Sequence, residues 1–296
     1  MSTPLIERLA VIGCGLMGGS FAKALRQRGL VSHISGYSTK AATRELALSM
    51  GVIDQACDSI AQAVENADVV LLSVPVQAST DALRAMAVHL SDHVLLMDVG
   101  STKSDVIAAA QATLGGALSR FVPAHPIAGK EVAGVQHADG DLYVNRQVFL
   151  TPLPETDPSL TARAHALWQA VGSKVGTLSP QMHDQTFAAV SHLPHLLAFA
   201  YINGLAGQEN GERILSMAGP GFKDFSRIAA SDPTVWRDIL LANQKQVLDQ
   251  LALTQQALNE LINAMQNGDG PRLSQLIESS RLTRSTWRMA GETGQD

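Results

Sequence analysis

Two stretches of this chain place chemically useful residues where they can act on one small molecule. Val11-Ile12-Gly13-Cys14-Gly15-Leu16-Met17-Gly18 forms a G-x-G-x-x-G pattern between an apolar strand and a helix expected from Leu16 to Arg28. In that setting Gly13 makes the tight turn, Gly15 lets backbone approach a pyrophosphate, and Gly18 lets helix pack closely on strand. The helix N-terminus then faces the phosphate charge. Much later, His125-Pro126-Ile127-Ala128-Gly129 sets an imidazole at the end of a strand, and Asp98-Val99-Gly100-Ser101-Thr102-Lys103 sets the Ser101 hydroxyl after the strand before it. A neutral imidazole accepts a proton near pH 7. A phosphate cradle joined to a proton acceptor suits a redox enzyme that removes a hydride and a proton from one molecule.

The cofactor contacts expected from this pattern are Gly13, Gly15, Leu16, Met17 and Gly18 in the turn, Ser73, Val74, Pro75 and Gly100 at later strand ends, and Ser38, Thr39 and Lys40 after the second strand. That last group bears on which dinucleotide binds. An acidic residue there would accept bonds from the ribose 2′-hydroxyl of NAD, but the chain reads Gly36-Tyr37-Ser38-Thr39-Lys40. Hydroxyls at Ser38 and Thr39 with positive charge at Lys40 and Arg44 suit a 2′-phosphate better, so NADP is expected to be preferred over NAD. If Lys40 and Arg44 are ordinary solvated helix positions, both cofactors bind.

A polar cluster follows downstream: His183-Asp184, then Ser191-His192-Leu193-Pro194-His195, then Gly221-Phe222-Lys223-Asp224-Phe225-Ser226-Arg227-Ile228-Ala229, then Ser231-Asp232-Pro233-Thr234-Val235-Trp236. With the HPIAG string, these segments make the chain resemble the prephenate and arogenate dehydrogenase family of tyrosine biosynthesis over nearly all its length. The resemblance implies oxidative decarboxylation of a cyclohexadiene that carries a ring carboxylate and a 4-hydroxyl. The products would be 4-hydroxyphenylpyruvate from prephenate or L-tyrosine from arogenate, with CO2 and reduced NAD(P). It further implies that His125 is the base and that Ser101 bonds to that histidine and to substrate. Arg227 would bind the carboxylate in a fork of donors, and His195, Lys223, Trp236 and Glu131 would complete the substrate pocket. His183 and Asp184 carry the weakest functional claim of the cluster.

Other readings remain open on sequence alone. A β-hydroxyacid-type dehydrogenase would share the turn but leave HPIAG and SHLPH unexplained. A hydrolytic triad of Asp98, Ser101 and His125 lacks a G-x-S-x-G elbow, and a non-catalytic NADP sensor would need the turn without the polar cluster. His192 and His195 stand three apart, but Pro194 intervenes and no third ligand is evident, so no metal is expected. Lys130 departs from the small hydroxylated residue common in the family, which puts substrate preference and inhibition by tyrosine in question.

These residues need a scaffold, and short β-rich runs alternate with helical patterns: Leu9 to Gly13, His33 to Tyr37, Val69 to Val74, Val94 to Val99, Phe121 to Ala124, Gln147 to Thr151 and Lys174 to Leu178. Such alternation predicts a largely parallel sheet. Beyond about Gln181 the strand signals stop, and Asp232 to Met265 shows apolar residues at helical spacing, with a last helix to about Met289. Pro152, Pro154 and Pro158 are expected in a surface loop. The fold class is therefore α/β: an N-terminal Rossmann-type, mostly parallel sheet domain over 1–179, followed by an all-helical domain over 180–296.

The chain has 296 residues, 46% hydrophobic and 17% charged, with a net charge of −5. That composition supports sizeable cores and offers no basic face for nucleic acid. Cys14 and Cys57 are too few and too unpatterned for a disulfide framework or a zinc site. No signal peptide or membrane span is read, so a cytoplasmic enzyme is expected, acting as a bare catalytic unit without a fused mutase or regulatory segment. A homodimer through the helical domain follows from the resemblance.

Overall fold

In the computed structural model the described residues are 5–130 and 132–288, so Glu131 and Met289 lie outside them. The alternation gives β1 (Ile6–Ile12), α1 (Leu16–Gln27), β2 (Val31–Tyr37), α2 (Ala41–Ser49), a two-residue β3 (Gln55–Ala56), α3 (Ile60–Val64), β4 (Val69–Leu72), α4 (Ser79–Met86), β5 (Leu95–Asp98), α5 (Ser104–Thr113) and β6 (Phe121–Val122). These strands form one parallel sheet in the order β3-β2-β1-β4-β5-β6. The order reverses between β1 and β4, and the carboxyl ends beside such a reversal are where open α/β sheets bind ligands.

Side chains alternate across the strands, which accounts for a core on each face. Leu9, Val11, Val69, Leu71, Leu95 and Met97 bury against Phe21 and Leu25 of α1 and Trp168. Ala10, Ile12, Val70, Leu72 and Leu96 face the other way, onto Val64, Leu83, Met86 and Ile107 of α3, α4 and α5.

The fifth expected strand, Phe121 to Ala124, does not continue as one. Proline has no N–H with which to extend a ladder, and at Pro123 the chain leaves the large sheet. It re-forms as β7 (Ala124–Pro126), antiparallel to β8 (Gln147–Leu150), which runs parallel to β9 (Lys174–Thr177). His125 thus lies within a strand, paired with Phe149, rather than beyond the end of one. Pro158 is also not in a loop: it occupies the first turn of α6 (Pro158–Ala170), where its missing N–H costs nothing, behind an Asp157 cap.

The helical half begins with α7 (Pro180–Phe187), capped by Ser179, and continues through a π-turn at Ala188–His192 into α8 (Leu193–Ala206). Pro194 in the first turn of α8 cannot supply an α-helical donor, and the wider turn before it absorbs that defect. Then come α9 (Gly211–Ser216), α10 (Pro220–Ser226), α11 (Pro233–Ala242), α12 (Gln244–Gln266) and α13 (Gly270–Thr286). The helical spacing read over Asp232 to Met265 is realised as two helices, separated at Asn243, which leaves helical geometry with φ −106° and ψ 26°. The chain divides into two compact units inside α12, between Val247 and Leu248, whereas the change from mixed to all-helical structure falls at Pro180. Among the described residues no helix is long and apolar enough to cross a membrane.

One buried ion pair ties the two sheets together. Lys103 Nζ lies 2.5 Å from Asp98 Oδ2 and donates to the Ala124 carbonyl at 2.7 Å, while Asp98 Oδ1 accepts from the Ala124 N–H at 3.0 Å. Both side chains are almost fully excluded from water. Removing one partner leaves an uncompensated buried charge, so Lys103→Met is expected to cost about 3–5 kcal/mol in urea unfolding. Lys103→Met combined with Asp98→Asn is expected to recover part of that loss.

Candidate active site

The glycine turn has the shape a dinucleotide needs. Gly13 has φ +105°, and a Cβ there would overlap the Ser73 carbonyl. A Cβ on Gly18 would collide with the Gly13 carbonyl and with Val11 Cγ1, at 2.8 Å from the latter. A Cβ on Gly15 would meet nothing within 4 Å, so the turn is closed towards the protein and open outward at that residue. No side chain caps α1, so its first backbone N–H groups are available to an anion. These features fit the pyrophosphate of a nicotinamide dinucleotide.

At the end of β2, Ser38 Oγ accepts the Cys14 N–H at 2.8 Å, which fastens this end to the glycine turn. Arg44 donates to the Ser38 carbonyl at 2.7 Å and pairs with Asp58 at 2.8 Å, with its guanidinium 5.9 Å from the Tyr37 ring. It is a folded-in residue rather than a solvated one. Thr39 and Lys40 are exposed beside it.

A buried polar cluster starts from His125, which is 9% exposed. Its Nδ1 lies 2.8 Å from His183 Nε2, and His183 Nδ1 lies 2.8 Å from Asp184 Oδ1. Asp184 also accepts the backbone N–H groups of Lys103 and Ser104, at 2.9 and 2.8 Å. A carboxylate can only accept, so His183 donates from Nδ1; a neutral His183 then accepts at Nε2, so His125 donates from Nδ1. The unprotonated nitrogen of His125 is consequently Nε2.

Burial, then the neighbouring His183 and Lys103, hold His125 well below the usual histidine range. His183 is held down by burial, against the pull of Asp184. Burial pushes Asp184 up, yet bonds from His183, Ser104 and Lys103 overcome it and leave the carboxyl at about 2. Ser101 lies half-buried on the loop between β5 and α5. The bond that orients the His125 ring at Nδ1 comes from His183, where the sequence had pointed to the Ser101 hydroxyl.

A second group of residues stands on α8, α10 and α11. The His195 ring stacks on Trp236 with centroids 3.5 Å apart and planes 18° apart, and His195 Nδ1 donates to the Ser191 carbonyl at 2.9 Å. Burial lowers the His195 pKa, the Ser191 carbonyl opposes this, and the nearby Arg227 charge adds to the lowering. Arg227 is exposed, just after α10. Lys223 is exposed on α10.

Asn243 joins the two groups: its Nδ2 donates to the Asp184 carbonyl at 2.8 Å and lies 3.1 Å from His192 Nδ1. His183, Asp184, Lys103 and Asn243 are the site residues to which the sequence assigned no role. The adjacent His-Asp pair was the one visible signal, and nothing local marked Asn243.

The model for the nucleotide-binding domain of prephenate dehydrogenase matches residues 21–177, and the model for its dimerization domain matches residues 179–279. A cyclohexadienyl dehydrogenase of Zymomonas mobilis is 33% identical over 95% of this chain and 96% of its own. The structure of Aquifex aeolicus prephenate dehydrogenase in complex with hydroxyphenyl propionate and NAD+ superposes with a TM-score of 0.88 at 34% identity, covering 96% of this chain and 98% of that one. Synechocystis arogenate dehydrogenase gives 0.81 at 30% identity, over 95% of this chain and 100% of that one. Fold and site together define a nicotinamide-dependent oxidoreductase built from a Rossmann-type sheet and a helical part. The chain belongs to the prephenate dehydrogenase family.

His192 has a stability consequence. Burial holds its pKa at about 4, against an ordinary 6.5. Between these values the unfolded chain takes up a proton that the folded chain refuses, so stability is lost as pH falls from 6.5 towards 4. Thermal midpoints are expected to decline through that window, and less steeply in His192→Gln, which has nothing to titrate there.

Proposed function

We propose that the chain catalyses NAD(P)+-dependent oxidative decarboxylation of prephenate, arogenate or both, with His125 as base. The observation that carries this reading is the relay from Asp184 through His183 to His125, which leaves His125 Nε2 as a proton acceptor. The carboxyl ends of β1, β4 and β5 lie side by side, which sets Gly13, Ser73 and Ser101 along one edge of the sheet. When bound, the nicotinamide supplies the acceptor for a hydride.

In this reading the substrate 4-hydroxyl donates its hydrogen bond to His125 Nε2, and Ser101 supports the same oxygen. As hydride leaves C4, the hydroxyl proton passes to Nε2 and the oxygen becomes a carbonyl. The imidazolium formed keeps its Nδ1 bond to His183, and the Asp184 carboxylate stabilises the charge. Loss of CO2 then releases the electron pair of the breaking C–C bond into the ring, which becomes aromatic. The phenolate oxygen recovers the proton from His125. Arg227 holds the carboxylate in its fork of donors, His195 offers its free Nε2 to substrate, and Trp236 holds His195 in place. Lys223 and Glu131 complete the pocket.

We further propose that NADP is preferred, on the absence of a carboxylate at the Ser38-Thr39-Lys40 segment and the exposed cation there. The nucleotide-binding part runs to residue 179 and the helical part from 180, the latter forming a homodimer in the cytoplasm. The match of residues 179–279 to a dimerization domain supports that assembly.

His125→Asn is expected to lower kcat about 10²–10⁴-fold in an assay of reduced-nicotinamide absorbance, with the cofactor dissociation constant unchanged. Asp184→Asn is expected to lower kcat about 10–100-fold without loss of cofactor binding, because it withdraws the charge opposite the imidazolium. Lys40→Ala is expected to raise KM for NADP about 5–10-fold and to leave KM for NAD unaltered, since one screened cation contributes roughly 1 kcal/mol at an exposed site.

A further inference from the structure

The turn that leaves β4 has two neighbours. On one side the Ser73 carbonyl packs against Gly13, so closely that no other residue fits there. On the other side the turn that follows, Val76–Ala78, packs on α11. Gln77 Nε2 donates to Asp238 Oδ1 at 2.9 Å, across 161 residues of sequence.

Asp238 is an unusual acceptor for such a bond. It is only 4% exposed, and the same oxygen takes Nε and Nη2 of Arg237 at 2.8 and 2.7 Å. The carboxylate is thus charge-compensated from its own helix, and Gln77 adds a link to a distant loop instead of a missing countercharge. Two residues before Asp238 on α11 stands Trp236, the platform on which His195 stacks. Two residues before Gln77 stands Pro75, the last of the Ser73-Val74-Pro75 cofactor contacts.

We propose that the Gln77–Asp238 hydrogen bond couples the cofactor loop to the substrate pocket, so that cofactor and aromatic acid each tighten the other's binding. Gln77 is a positioning residue in this scheme, acting through the loop and through α11, and touching neither ligand. Cofactor seated on Ser73–Pro75 holds the turn, the bond holds α11, and α11 holds Trp236 beneath His195. Reciprocity requires equal factors in both directions, and couplings of this kind typically lie between about 5- and 150-fold. The inference rests on the dehydrogenase reading of the site.

The test is calorimetric titration of full-length protein with NADP+, with and without 3-(4-hydroxyphenyl)propionate, and the reverse titration. Wild type is expected to show mutual tightening of at least about fivefold. Gln77→Leu, near-isosteric and without a donor, is expected to reduce the factor below about twofold, with each ligand alone bound as in wild type and the thermal midpoint unchanged. Gln77→Lys, which keeps a donor towards Asp238, is expected to retain the coupling. Full coupling in Gln77→Leu, or none in wild type, overturns the proposal while leaving the dehydrogenase reading intact. Loss of binary binding in Gln77→Leu also overturns it, because the residue then serves only to hold the fold. Failure of wild type to bind the aromatic acid in the presence of NADP+ overturns the dehydrogenase reading as well.

Discussion

The ammonium of Lys103, held against the Asp98 carboxylate away from water, is the interaction from which the His125 cluster hangs. Between them the two side chains take both the N–H and the carbonyl of Ala124. The residue just before His125 is therefore fixed at the point where the chain leaves one sheet for the other. Such a pair contributes little net stability against an apolar alternative, because desolvation offsets most of the attraction. What it supplies is position: neither partner can shift without exposing the other as a bare charge in a low-dielectric interior.

The same pair helps set the chemistry. Lys103 presents its backbone N–H to Asp184, and Asp184 orients His183, which orients His125. The lack of solvent, and after it the positive charge of Lys103, oppose protonation of these imidazoles. His125 is therefore held in its neutral form, with Nε2 unprotonated. The Asp184 carboxylate at the far end of the chain opposes the lowering at His183. The donor and acceptor sequence is complete from carboxylate to Nε2, so the ring has a single orientation and tautomer.

Helix breaks do as much positioning as helices. The π-turn before Pro194 sets the spacing between the histidine of α7 and those of the His192–His195 segment. The break at Asn243 turns an amide inward to join Asp184 to His192. Both are departures from ideal helix at places where polar groups must meet in a buried region. Irregular backbone of this kind is common where side chains are aimed at one another.

The order of strands and helices and the cofactor turn were legible in the sequence because each rests on local pattern. Alternating apolar runs define strands, Gly13 and Gly18 occupy positions where a side chain would collide, and the HPIAG string marks His125. The end of the second strand likewise showed that no acidic residue stands there. The partner of His125 was not legible, since His183 lies 58 residues away and the bond exists only because Pro123 diverts β7 into a second sheet. Nor were the burial of Lys103, the folded-in Arg44 or the role of Asn243, for a charged or amide side chain reads the same in a sequence whether it faces water or another helix. Local sequence determined the elements and which polar side chains were candidates for the site. Which groups face one another, in what protonation state, was decided by the tertiary structure, because desolvation and hydrogen-bond partnership are properties of the packed interior.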